Sequence, residues 1–119
     1  MRLPRTAAFV IAAVTVLAWL IVSVTIGVSN AAVMLGVIPA RLSAAVDVSP
    51  AVPALLTPLT ATLVHGDLFH LAFNILFLLW CGAAVERVLG RSSLFSLYVV
   101  GAFAGAAAQW AVAPLSTTP

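Results

Sequence analysis

From Ala7 to Val28 the chain runs AAFVIAAVTVLAWLIVSVTIGV without one charged residue. A helix needs about 20 apolar residues to cross a bilayer, and this run supplies them. Two further stretches read the same way. Leu68–Val85 lies between Asp67 and Glu86, and a third runs from Leu94 to about Ala113 after the charged turn ERVLGRSS. The predicted fold class is therefore all-α integral membrane, with three transmembrane helices. Charged residues make up only 7% of the 119 residues, against about 25% in soluble domains, so no polar coat is available. No soluble domain, internal repeat or low-complexity tract fits in what remains.

The first run invites a rival reading as a secretory signal, because Arg2 and Arg5 precede it and Ser29–Ala31 are small or polar. Its length argues for a span instead, since a signal core is about 7–15 residues. The pI near 9.5 rests on five arginines and three acids, and the arginines are scattered, so nucleic acid is not an expected partner. Arg2 and Arg5 precede span one, and Arg87 and Arg91 join spans two and three. The positive-inside rule then predicts a cytoplasmic N-terminus and an outside C-terminus. Cys81, the sole cysteine, is read as a small hydrophobe.

Between spans one and two, residues 29–67 carry Pro39, Pro50, Pro53 and Pro58 with Arg41 and Asp47, a density that predicts a long loop. AAVMLGVIPA is nevertheless apolar, so this loop is expected in the interface or packed into the bundle. Irregular backbone at membrane depth needs protein around it.

Polar side chains within a span are costly, which makes His65–Asn74, HGDLFHLAFN, the informative segment. His70 and Asn74 are four residues apart and share a helix face, continued by Phe77, Leu78 and Cys81. A helix starting near Leu68 puts Asn74 on the order of 9 Å below the outer end. An imidazole N–H and a carboxamide NH₂ converging on one point suit an oxyanion in a dry site. Alternatively, the pair hydrogen-bonds neighbouring helices. A metal site on His65, Asp67 and His70 is disfavoured by spacing: helical zinc histidines want i, i+4, and these lie five apart. No metal and no cofactor is expected.

The string TPLTATLVHGDLFHLAFNILFLLWCGAAVERVLG resembles the second transmembrane helix of the rhomboid family and its approach, at His65, His70, Leu71, Asn74, Gly82, Glu86 and Gly90. The segment containing GVIPARLS is similar to the family's long, membrane-embedded first loop, and the resemblance covers about Val37 to Trp110. It implies the front half of a six-helix bundle and an intramembrane serine endopeptidase that cuts transmembrane proteins, in a bacterial inner membrane. It also implies that His70 and Asn74 line the oxyanion hole, while His65, Gly82, Glu86 and Gly90 are structural. Glu86, beside Arg87 and near Arg91, can tie the cytoplasmic helix end. In span three Gly101 and Gly105 form a small-xxx-small ridge for a close helix neighbour, and Gln109 reads as a local hydrogen bonder.

Such proteases pair a G-x-S-G serine with a later histidine. None of the chain's serines has that context, and no histidine follows His70. The expectation is an incomplete, inactive chain whose missing C-terminal helices carry the dyad; the intact helix-two pattern favours a fragment over a degenerate copy. Two other functions stay open: a non-catalytic relative binding client transmembrane helices, or an unrelated subunit of a larger membrane assembly.

Overall fold

A computed structural model describes residues 6–119. Arg2 and Arg5, which carry half of the orientation argument, lie outside them. Among the described residues there are helices and turns and no strands. Three helices are long and apolar enough to cross a membrane, at Ala7–Thr25, Leu68–Leu89 and Arg91–Val112. At 1.5 Å per residue the longer two reach about 33 Å, enough for a hydrocarbon core of about 30 Å.

The first of these, α1 (Ala7–Thr25), is capped by the Thr6 hydroxyl, which accepts from the Phe9 N–H at 3.2 Å. It ends three residues earlier than the apolar run does, because Gly27 adopts φ +80°, a left-handed conformation that breaks the helix. The chain then enters α2 (Val28–Leu35) and α3 (Pro39–Leu42), then α4 (Thr57–Thr60). The expected loop is thus partly helical. Pro39 and Pro58 sit in the first turns of α3 and α4, where a missing N–H breaks no helical bond. Val37, Ile38, Pro39 and Ala40 are buried, and the Thr60 hydroxyl ties the segment together by donating to the Leu35 carbonyl at 2.6 Å.

Span two comprises α5 (Leu68–Phe77), a wide π-type turn at Leu78–Gly82, and α6 (Ala83–Leu89). It is longer than the predicted 68–85. The charged ERVL segment is not a loop but helix, since Glu, Arg and Leu are good helix formers and Gly90 alone makes the reversal. With φ +88° and ψ 168°, Gly90 closes α6 and opens α7 (Arg91–Val112), which therefore starts before the predicted Leu94.

The three spans pack largely through small residues. Ala8, Ala12, Gly82 and Ala106 are buried within them, and Ala31 and Ala40 are buried in the segment between spans one and two, as expected where helices must approach closely without water to drive them together. Large apolar side chains point outward, including Val24, Phe69, Trp80 and Val112. An apolar exterior over an alanine-rich interior is the surface of a protein in lipid. This is an integral membrane protein.

Candidate functional site

Span two begins where Asp67 caps it. The Asp67 carboxylate accepts from the His70 N–H at 2.7 Å, satisfying one of the orphan donors of the first turn. The sequence carries this signal, an Asp directly before an apolar run, although there Asp67 reads as a charge bounding the span and as a metal-ligand type, not as a cap. The cap fixes where the helix starts and so which way His70 and Asn74 face.

His70 and Asn74 line one open cavity of about 440 Å³. Phe77 and Leu78 line it further along the same face, whereas Cys81, expected there, does not. Cys81 lies inside the wide turn at Leu78–Gly82, which changes the helical phase there. The opposite wall comes from Thr15 of α1 and from Tyr98 and Ala102 of α7. Thr15 and Tyr98 were not anticipated; a threonine and a tyrosine in apolar runs carry no spacing signal of their own.

Both His70 and Asn74 are exposed. The Asn74 carboxamide donates one N–H to the His70 carbonyl at 3.0 Å, one turn back, which leaves its second N–H for another acceptor. The His70 ring stands edge-on to His65, with centroids 5.1 Å apart and planes at 67°. His65 itself is buried. Its carbonyl accepts from the Trp19 indole N–H at 2.9 Å, tying the loop end to α1, and its Nδ1 has no hydrogen-bond partner. Burial lowers the His65 pKa below the ordinary 6.5, the positive charge that His70 can carry lowers it further, and a backbone contact with Leu63 opposes both.

The other predicted residues gather at the far end of the bundle. Glu86 accepts from the Ala7 and Ala8 N–H groups at 2.9 and 3.1 Å, so its carboxylate caps the N-terminus of α1. It also pairs with Arg91 Nε at 3.2 Å. Gly82 lies where the three spans meet: a Cβ there would come within 3.3 Å of the Ala8 Cβ and 3.6 Å of the Leu94 Cδ1. Gly90 makes the turn described above.

Gly101 and Gly105 lie apart from both groups. A Cβ on either would meet nothing within 4 Å, so the ridge faces outward, unpartnered among the described residues. Gln109 donates to the Val37 carbonyl at 3.4 Å, joining α7 to the segment between spans one and two.

A family model for the rhomboid domain matches residues 53–118, which is more than half of the chain and includes every residue of this cavity except Thr15. Neither the curated proteins nor the solved structures returned a match.

Proposed function

Because the chain belongs to the rhomboid family, we propose that it supplies the oxyanion side of an intramembrane serine endopeptidase site for transmembrane-protein substrates. The observation that carries this reading is the single cavity shared by His70 and Asn74, inside the matched region. One imidazole N–H and the uncommitted carboxamide N–H offer two donors toward one space, which is what a developing oxyanion needs. The mixed wall of Thr15, Tyr98, Phe77 and Leu78 accepts both a polar backbone and an apolar side chain.

These 119 residues hold neither a G-x-S-G serine nor a histidine after His70, so nucleophile and base must come from elsewhere. Oriented as the arginines suggest, the cavity opens toward the outer face and the Glu86 end lies in the cytoplasm. The 119-residue chain alone is then inactive toward peptide bonds.

The test is a cleavage assay on the product of the whole reading frame that contains these residues, with a transmembrane substrate. His70→Ala and Asn74→Ala should each lower turnover about 10²–10³-fold, the usual loss on removing one oxyanion donor. Unchanged turnover in both variants would remove them from the mechanism.

A second reading, a non-catalytic member that holds client helices, draws on the open Gly101/Gly105 ridge. It predicts that Gly101→Leu abolishes client capture while no fluorophosphonate labels the whole product.

A further inference from the structure

The segment between spans one and two contains a second polar site, remote from the His70 cavity. Arg41 of α3 is 8% exposed, and its Nη2 donates to the Val52 carbonyl at 2.7 Å. Its Nη1 is buried with no hydrogen-bond partner. Arginine cannot shed its charge to escape such a position, so an unused guanidinium donor is a binding capacity awaiting an anion. Arg41 lines an open cavity of about 520 Å³ together with Asp47 and Ser49. Asp47 accepts from the Val48 N–H at 2.9 Å and makes no ion pair with Arg41 among the described residues. One cavity thus presents a cation and an anion that form no direct ion pair with each other.

An apolar groove of about 280 Å³ is lined from the same stretches of chain. The two spaces share the same two pieces of backbone: Arg41 and Ala54 line the polar cavity, and their neighbours Leu42 and Leu55 line the groove. The groove's other wall is α7, through Phe103 and Trp110. Trp110 lies in the last turn of a membrane span, the level at which tryptophan marks the interface between hydrocarbon and headgroups. Its indole N–H donates to the Ser43 hydroxyl at 2.8 Å, and that hydroxyl donates to the Pro114 carbonyl at 2.7 Å. The two walls are therefore held together.

We propose that this is a binding site for a zwitterionic aminophospholipid. The phosphodiester pairs with the Arg41 guanidinium, the primary amine takes the Asp47 carboxylate, and an acyl chain enters the groove between Leu42, Leu55 and α7. Charge decides among the candidates. Inorganic phosphate is partly dianionic at neutral pH and cannot satisfy Asp47, which repels it. A lipid with a phosphodiester and no amine leaves Asp47 unpaired. Only a headgroup with both charges matches both residues.

Native mass spectrometry on the detergent-solubilised chain tests this, with phosphatidylethanolamine, phosphatidylglycerol and inorganic phosphate offered separately. Phosphatidylethanolamine should be retained about tenfold more strongly than phosphatidylglycerol, and inorganic phosphate should not compete. Arg41→Gln should cost about tenfold or more in retention, as loss of a charge-assisted bond implies. Asp47→Asn alters an exposed residue and keeps the fold even where Arg41→Gln does not. It should erase the preference for phosphatidylethanolamine over phosphatidylglycerol. Equal retention of the two lipids by the unaltered chain overturns the proposal, as does an Asp47→Asn variant with the preference intact. Competition by inorganic phosphate alone also overturns it, making this a simple anion site.

Discussion

The two ends of the bundle treat their polar residues differently. At the Glu86 end the carboxylate is used in holding helices: it serves two α1 N–H groups and Arg91, and Gly82 lets Ala8 and Leu94 close in. At the His70 end the polar groups face a cavity. His70 and Asn74 are exposed, and the His65 Nδ1 is unpartnered. A saturated carboxylate is committed to structure; a donor pair left open in a membrane protein is available for chemistry. The same helix carries both, separated by the wide turn at Leu78–Gly82.

The sharpest way to break this contrast is to separate activity from stability. His70→Ala and Asn74→Ala should raise the barrier to cleavage by about 2.7–4 kcal/mol in the whole product. Their melting temperatures in detergent should barely change, because Asn74 bonds only its own helix and exposed substitutions usually cost less than about 0.5 kcal/mol. A large drop in melting temperature would make the pair structural, like Glu86.

Gly82→Leu probes the other end. A branched side chain must displace Ala8 and Leu94, and overpacking of this kind costs about 1–3 kcal/mol. Thermal unfolding in detergent would show it, and a neutral result would mean that the spans separate easily at this point. Glu86→Ala should lower the melting temperature more than Arg91→Ala does. The first leaves two helix N-terminal donors without their carboxylate, and the second removes one partner that is largely in solvent.

How much of this was legible in the sequence follows from what each feature depends on. The spans were visible because charge punctuates them, and their ends shifted only where glycine decided: Gly27 and Gly90 adopt positive φ, which composition does not reveal. The His70/Asn74 face was readable from i, i+4 spacing. Its continuation to Cys81 was not, because a wide turn leaves no residue signature. The reach of Glu86 to Ala7 and Ala8 joins positions almost eighty residues apart and depends on how α1 packs. The Trp19 bond to the His65 carbonyl is of the same kind. Trp19→Phe should remove it at a cost of about 0.5–1.5 kcal/mol, measured as a fall in unfolding free energy, and the loss should loosen His65 against His70.

The smallest effect is also the one that best reports whether the His70 end is open. Burial is the first cause of the low His65 pKa, and His70 is the second. The unfolded chain, with an ordinary pKa of about 6.5, then takes up a proton more readily than the folded one. The stability contributed by neutral His65 is present in full above pH 6.5 and is lost as pH falls from there through the lower folded pKa. Melting temperature measured from pH 7.5 downward should decline across that window, and His65→Gln should flatten the decline. His70→Gln should reduce it without abolishing it, because burial remains when the neighbouring charge is gone. If His70→Gln flattens the curve completely, His65 is better solvated than its position in the loop implies, and the donor face extends into a wetter cavity. If it changes nothing, the His70 charge does not reach His65, and the edge-on contact is packing of the kind found at the Glu86 end.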